Sequence, residues 1–192
     1  MKYGFTYCSI EDESKLGVLM NTITVMDKKR LGEMLTGKPF TKDRDGRFAR
    51  QYKTLFDIVD VNHEAALFAF SKIRRTCSTA SDLESAGIQL NNDTVCVICE
   101  LDEATAKPHD FYFWEEFVNS LRGESIRPFD ELHELLVDQI TDYRKGDCQR
   151  LEQIVFDHRL AKKVEILDCT DIGNYLDIAK RHGILTENEE DI

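Results

Sequence analysis

Residues 94–101 read Thr-Val-Cys-Val-Ile-Cys-Glu-Leu, and this stretch decides the fold class. Nearly all of its residues are apolar and three are β-branched valine or isoleucine, while the run is too short to predict an amphipathic helix. Such a run is typical of a strand that is buried on both faces in the middle of a sheet. We therefore predict a central strand here, around which the other elements must pack.

Further strands are predicted at residues 2–10, 21–26 and 164–168, near the two ends of the chain. Stretches with apolar residues at helical spacing separate them and predict helices at residues 27–35, 48–59, 62–77, 81–87, 108–123, 128–146, 147–155 and 171–183. The predicted fold class is mixed, helix-rich α/β, a small central sheet packed by about six to eight helices, with segregated α+β as the alternative. Residues 1–185 are predicted to form a single globular domain, followed by an acidic tail at residues 186–192.

The composition is that of an ordinary globular protein. Of the 192 residues, 42% are hydrophobic and 32% are charged, which is enough apolar content to offset the entropy lost on folding. No apolar run approaches the roughly 18 residues that span a bilayer, and the N-terminus lacks the layout of a signal peptide. The six cysteines are spread along a chain that needs no disulfide staples, so we predict free thiols and a cytoplasmic location.

Charge is segregated along the chain. Residues 1–76 hold 14 basic and 10 acidic residues, residues 77–192 hold 11 and 26, and the whole chain carries a net charge of −11. The basic residues cluster at 28–53, where the candidate contacts for phosphate or for an acidic partner are Lys42, Arg44, Arg47, Arg50 and Lys53. The alternative is that this segment packs against acidic helices of the same chain. The acidic remainder should repel nucleic acid and membranes and attract a basic partner protein.

Cys96 and Cys99 form a CxxC motif, a spacing found in zinc sites and in redox-active pairs. Inside a strand, residues three apart point to opposite faces, so these two thiols cannot easily share a metal ion or a disulfide. Residues 41–52 imitate part of a calcium loop, but Thr41 and Tyr52 stand where the first carboxylate and the bidentate glutamate are required. We predict no metal site and no cofactor.

Arg127 and His133 are the candidate catalytic residues, because histidine is the side chain that most readily transfers a proton near neutral pH. Their Arg-x5-His spacing resembles the signature of the HEPN ribonuclease family. That resemblance implies a helical bundle that dimerises and sets both side chains against an RNA phosphate. It covers seven residues, includes Pro128 and is of a kind that chance supplies, so no family is assigned on it. His158 lies on an apolar face and is interpreted as a core or boundary residue.

Tyr112 and Phe113 belong to an aromatic run, residues 111–114, that cannot turn every ring toward the core from one helix. They are candidate interface residues, with partial burial against a neighbouring element as the alternative. The sequence contains neither a Gly-rich phosphate loop nor a GxSxG elbow.

Three functions follow from these patterns. The first is a non-enzymatic protein–protein interaction module, a small acidic cytoplasmic inhibitor, immunity-type or accessory factor that acts on a partner protein. The second is an RNA- or nucleotide-processing enzyme that uses the basic segment and a histidine. The third is a nucleic-acid-binding protein without catalysis, acting through residues 28–53. The absence of a complete catalytic constellation favours the first.

Overall fold

The central strand predicted from residues 94–101 is present in the computed structural model as β3 (Thr94–Asp102). The first six side chains of β3 are buried, so both faces of the sheet are covered here. The strand lies between β1 (Leu19–Asp27), with which it pairs along its whole length, and β6 (Lys163–Asp168). The prediction of a strand buried on both faces is confirmed.

The structure describes residues 18–36, 49–62, 65–74, 84, 88–103, 106–119, 127–141 and 151–186. Within them, the remaining strands are β2 (Ala66–Arg74), β4 (Pro108–Asp110), β5 (Leu151–Asp157) and β7 (Leu185–Thr186). The α-helices are α1 (Lys28–Leu35), α2 (Ala49–Val59), α3 (Phe111–Asn119), α4 (Phe129–Thr141) and α5 (Ile172–Arg181), and a 3-10 turn spans His158–Leu160.

The strands form one sheet, in which six of them follow the order β4-β5-β2-β1-β3-β6. The seventh, β7, pairs with β2 and is not part of this linear order. All pairings are antiparallel except that of β7 with β2. The strands β1 and β2 pair at a single register position, Ile23 with Phe70, and β7 joins β2 further along, at Ile73 and Arg74. The side-chain amide of Asn21 donates to the His182 carbonyl, which ties β1 to the turn before β7. The two central strands therefore diverge where β7 enters.

Helices pack against both faces of the sheet. On one face, α2, α3 and α4 enclose an aromatic cluster in which Trp114 lies 5.6 Å from Tyr52 and 6.3 Å from Phe68, measured between ring centroids. On the same face, α5 buries Tyr175 and Ile178 against β1 and β3. The opposite face receives Met34 of α1. Aromatic pairs at these separations contribute roughly 0.5–1.5 kcal/mol each beyond their burial.

Helix boundaries follow from local chemistry. The Asp27 carboxylate accepts from the backbone N–H of Arg30 at 2.6 Å, and the Asp171 carboxylate accepts from Asn174 at 3.0 Å, so each caps a helix N-terminus. Gly183 follows α5 with a φ of +70°, a conformation that favours glycine after a helix end. The helices predicted at residues 27–35, 48–59, 128–146 and 171–183 are confirmed in position. The helix predicted from Pro108 starts later, because residues 108–110 pair with β5 as strand β4.

The prediction of a helix-rich fold with a small sheet is wrong. The described residues contain a seven-stranded sheet and five α-helices, rather than six to eight helices, although the chain is mixed α/β. Two predicted helices are strands, since residues 62–77 contain β2 and residues 147–155 contain most of β5. The predicted strand at residues 2–10 and the helix predicted at 81–87, apart from Glu84, lie outside the described residues. So does the tail predicted at residues 186–192, apart from Thr186, which belongs to β7.

The error at β2 has a physical cause. Ala66, Phe70 and Ile73 are spaced by four and three residues, as on one face of a helix. In the structure the register between β2 and β5 shifts between Phe70 and Lys72, which is a β-bulge. Because a bulge adds one residue to a strand, the alternation of side chains shifts by one, and residues three apart across the bulge point to the same face. The bulge therefore places Phe70 and Ile73 in one core cluster, and it reproduces a helical spacing within a strand.

Candidate functional site

A groove with apolar side chains at its floor and acidic side chains at its rim lies where α2, β3 and β5 end. Its cavity volume is about 710 Å³. The floor consists of buried side chains, and Leu160, which is 61% exposed, stands at its mouth. We call this cavity the acid-rimmed groove, with a floor of Phe56, Val59, Leu101 and Phe156 and a rim of Asp57, Asp60 and Asp157.

Local backbone geometry shapes the acid-rimmed groove. The helix α2 ends at Val59, and Asp60 then adopts a φ of 54°, a left-handed conformation that aspartate tolerates better than most residues. This turn brings the chain back, so that the Val61 N–H donates to the Phe56 carbonyl at 3.1 Å. On the other side, His158 Nδ1 lies 2.8 Å from the Ala65 carbonyl and fixes the start of the 3-10 turn that carries Leu160. Both walls are therefore held by hydrogen bonds to backbone carbonyl groups.

The rim of the acid-rimmed groove carries net negative charge. Asp57 and Asp60 are exposed, and no described residue forms an ion pair with either. Asp157 is engaged by Arg159, whose guanidinium and backbone N–H both donate to it. Hydrogen bonds from Arg159 hold the pKa of the Asp157 carboxyl below its usual range. Lys107 is the basic lining residue, so the groove presents two uncommitted carboxylates beside an apolar floor.

A second cavity, of about 590 Å³, lies where β1 and β2 diverge around β7. We call it the polar cleft, because its lining includes Asn21, Ser71, Lys72, Lys107, Glu152 and His182. Glu152 is only 7% exposed, and it accepts a hydrogen bond of 2.8 Å from the Ser71 hydroxyl. Ser71 occupies the bulge in β2. The bulge thus aims a hydroxyl at a buried carboxylate inside the polar cleft.

His109 is a fully buried histidine in the sheet. It lies in β4 with no exposed surface, its Nε2 is 3.0 Å from Gln153 Oε1, and its ring meets Trp114 edge-on at 6.2 Å. Burial lowers the pKa of His109 to about 4, against the smaller opposing effects of Gln153 and Asp110. Because His109 lines neither cavity, we assign it a structural role.

The CxxC cysteines point to opposite faces of β3, as predicted from strand geometry. Cys96 packs in the cluster beneath α5, whereas Cys99 packs in the cluster on the side of α1. Cys96 instead contacts Cys169, which follows β6, and the hydrogen bond between the two thiols raises the pKa of Cys96 and lowers that of Cys169. All three are free thiols with at most 1% exposure. Within the described residues, no group of histidine, cysteine or carboxylate side chains could hold a metal ion.

The predicted catalytic pair lies at the start of α4. Arg127 Nε is 4.0 Å from a Glu116 carboxylate oxygen and 3.9 Å from one of Glu131, so its charge is partly offset by the chain itself. His133 is half-buried on the same helix. The pair lines neither cavity, and the sheet differs from the helical bundle that the HEPN resemblance implies. Its catalytic role stays a prediction.

The predicted basic contacts are described only in part. Lys42, Arg44 and Arg47 lie outside the described residues, as does the side chain of Arg50. Lys53 is exposed on α2. Earlier in the segment, Lys28 Nζ lies 3.7 Å from Asp168 and donates to the Asn92 carbonyl, so this lysine is engaged by groups of the same chain.

The predicted interface residues are both half-buried. Tyr112 packs against the cluster beneath α5 and meets Phe111 edge-on at 5.5 Å, while Phe113 packs against the aromatic cluster. Both side chains are therefore partly buried against neighbouring elements, which was the alternative interpretation of this aromatic run. Asp57, Asp60 and Leu160 were not identified from the sequence as candidate site residues. The only local signal for them was the presence of a leucine, Leu160, in a polar stretch.

Comparisons with known proteins do not assign the chain. No family model, curated protein or solved structure shows significant similarity to it. Of the helices in the described ranges, none is long and apolar enough to cross a membrane.

Proposed function

We propose that the protein is a non-enzymatic, cytoplasmic interaction module that binds a basic segment of a partner protein in the acid-rimmed groove. The observation that carries the proposal is the juxtaposition of an exposed leucine, an apolar floor and two uncommitted carboxylates in one cavity of about 710 Å³. An apolar side chain of the partner would enter the groove, and flanking lysines or arginines would meet Asp57 and Asp60. The acidic chain, at −11, would speed the approach of such a partner.

The apolar and the charged contacts are expected to contribute unequally to affinity. Burying the exposed part of a leucine is worth about 1–2 kcal/mol, which corresponds to roughly a tenfold change in affinity. Contacts between exposed carboxylates and lysines are weaker, and two of them together are worth a change of roughly three- to tenfold at low salt. The apolar contact should therefore dominate affinity, while the carboxylates select a basic segment over an acidic one.

The test uses a fluorescent peptide of leucines and lysines with leucine at helical spacing, read by anisotropy at 150 mM salt. We expect Leu160→Ser to weaken binding about tenfold. The double variant Asp57→Asn, Asp60→Asn should weaken it about three- to tenfold, and asparagine tolerates the φ of residue 60. The matched control is Asp93→Asn, Asp177→Asn, which removes the same charge outside the groove and should change affinity less than about twofold. Equal loss in both double variants, or no loss in Leu160→Ser, would reject the groove as the site.

The polar cleft supports a second candidate, the nucleotide-processing enzyme. The specific observation is a carboxylate, Glu152, that is 93% buried in a cleft also lined by two lysines, Lys72 and Lys107. Lysines bind phosphate and a buried carboxylate can transfer a proton. A nucleoside mono- or diphosphate should raise the melting temperature of the native chain, and Lys72→Gln should remove that shift. Without any shift at millimolar nucleotide, this candidate fails.

The nucleic-acid-binding alternative has Lys42, Arg44 and Arg47 as its main contacts, which lie outside the described residues. Its test is the salt dependence of binding to single-stranded RNA, which should be steep if several phosphates are contacted. Reversing these three charges should abolish binding, and binding that is insensitive to salt would exclude this alternative.

A further inference from the structure

The two edges of the sheet differ in how they are protected. The edge strand β4 has three residues and begins with Pro108, which has no N–H to donate. Short strands and prolines are common means by which proteins prevent pairing at an edge. The other edge strand, β6, has six residues, Lys-Val-Glu-Ile-Leu-Asp, with no proline. Among the described strands it pairs with β3 alone.

In the first four residues of β6, the charged side chains lie on one face and the aliphatic side chains on the other, while Leu167 and Asp168 continue these two faces with the opposite character. Lys163 and Glu165 lie opposite Glu100 and Ile98 of β3, on the face covered by α5. Val164 and Ile166 lie opposite Cys99 and Val97, on the face that α1 approaches, and both are half-buried. Among the residues that the structure describes, β6 therefore has one unpaired backbone edge with a defined side-chain pattern on each side.

We propose that β6 pairs antiparallel with β6 of a second copy of this chain, with Val164 facing Val164 of the partner subunit. The two sheets would then join into one continuous sheet across a twofold axis. The proposal does not depend on the proposed function.

Symmetry and charge select this register. A twofold axis that joins two antiparallel edge strands is perpendicular to the sheet, so facing residues must lie on the same face. Centring the pair on Val164 sets Lys163 opposite Glu165 of the partner subunit, and the same contact is repeated by symmetry. Opposite charges at facing positions stabilise a strand pair. Opposite-sign pairs therefore flank a central valine pair.

The competing registers are less favourable. Centring on Glu165 sets two carboxylates directly opposite each other, which destabilises the pair. Centring on Ile166 sets Glu165 opposite an aliphatic leucine and Val164 opposite an aspartate. A parallel pair about an axis along the strands turns each residue and its own copy to opposite faces of the sheet, so the two side chains cannot pair. Of these arrangements, only the one centred on Val164 sets a lysine of β6 opposite a glutamate of the partner strand.

The first experiment is a charge exchange, read as the dimer dissociation constant by sedimentation velocity of the full chain. We expect a concentration-dependent dimer. Lys163→Glu should weaken it by about tenfold or more, because two attractive pairs become repulsive. The double variant Lys163→Glu, Glu165→Lys should restore the dimer, since the signs are merely exchanged. Glu165 also lies 3.8 Å from His182 Nε2 of the same chain, so a change at Glu165 can alter the stability of the monomer. The Lys163 variant is therefore measured first, and thermal melts accompany each variant. A wild type that stays monomeric at several hundred micromolar, or a double variant that is not rescued although it melts like the wild type, would overturn the proposal.

The second experiment fixes the register by cross-linking. Facing Cα atoms in an antiparallel pair are about 4.5–5.5 Å apart, within the range that a disulfide spans. Val164→Cys should therefore form a covalent dimer on mild oxidation with diamide. Ile166→Cys is the matched control, because in this register its two copies are about four residues, or roughly 13 Å, apart along the strands. Cross-linking of Ile166→Cys but not of Val164→Cys would reject the register, and wild type treated alike corrects for the native cysteines.

Discussion

Protonation of His109 should make folding depend on pH in mildly acidic solution. Burial lowers the pKa of His109 to about 4 in the folded chain, against an ordinary value of 6.5. Above pH 6.5 the imidazole is neutral in both states, so it contributes no pH dependence. Between pH 6.5 and 4 the unfolded chain binds a proton that the folded chain does not. The free energy of unfolding therefore falls with decreasing pH across this window.

The size of the effect follows from the two pKa values. The full difference corresponds to about 3 kcal/mol, and about 2 kcal/mol of it should already be lost at pH 5 relative to pH 7.5. Trp114 reports unfolding directly, because it is the only tryptophan and lies in the aromatic cluster beside His109. Urea unfolding followed by its fluorescence at both pH values gives the loss for the wild type.

The variant His109→Gln isolates the contribution of the imidazole. Glutamine keeps a polar partner for Gln153 but has no charge to acquire, so the variant should lose about 2 kcal/mol less than the wild type between pH 7.5 and 5. Each protein is compared with itself, so the packing lost by the substitution does not enter the comparison. Equal pH dependence in the two proteins would show that His109 is protonated in the folded state and would refute the reasoning.

Three further substitutions test packing and backbone conformation by urea unfolding. Tyr175→Phe should be neutral or stabilise by up to about 1 kcal/mol, because the buried Tyr175 hydroxyl has no hydrogen-bond partner in the described structure; a loss above 1 kcal/mol would reveal one. Gly32→Ala should stabilise the fold by about 0.5–1 kcal/mol, since nothing lies within 4 Å of the added Cβ in the middle of α1. Gly183→Ala should destabilise it by about 1 kcal/mol or more, because residue 183 has a φ of +70°. If Gly183→Ala were the more stable of the two variants, the backbone assignment would be contradicted. Asp171→Ala should cost about 1 kcal/mol through loss of the cap on α5, and no cost would mean that another group replaces it.

Local chemistry was enough to predict the elements with a strong boundary signal. The helix α5 has an aspartate cap at its start and a glycine after its end, and both were read from the sequence. The strand β3 was predicted from its β-branched apolar run, and period-two geometry correctly separated Cys96 from Cys99. These features depend on neighbours within a few residues, so the sequence carries them directly.

Elements whose apolar pattern fits both the helical and the strand period could not be predicted from the sequence in this way. All of the first six residues of β5 are buried, so its sequence has no alternation that could reveal a strand. What makes it a strand is pairing with β2 over residues 66–73, far away in the chain. The contact between Cys96 and Cys169 was missed for the same reason, since it depends on the register of β6 against β3.

The acid-rimmed groove depends on register even more strongly. Its floor takes Leu101 from the end of β3 and Phe156 from the end of β5, while Asp57 and Asp60 come from the end of α2. In the ladder, Phe156 pairs with Leu67, and both belong to the core cluster that also holds Leu101. A slip of one residue between β2 and β5 would turn Phe156 to the other face and remove the floor. The bulge at Ser71 occurs in the same strand pair. It keeps Phe70 and Ile73 on the same face of β2, and it turns the Ser71 hydroxyl toward Glu152. Both cavities are therefore consequences of how β2 and β5 align, which is why they became visible only once that alignment was known.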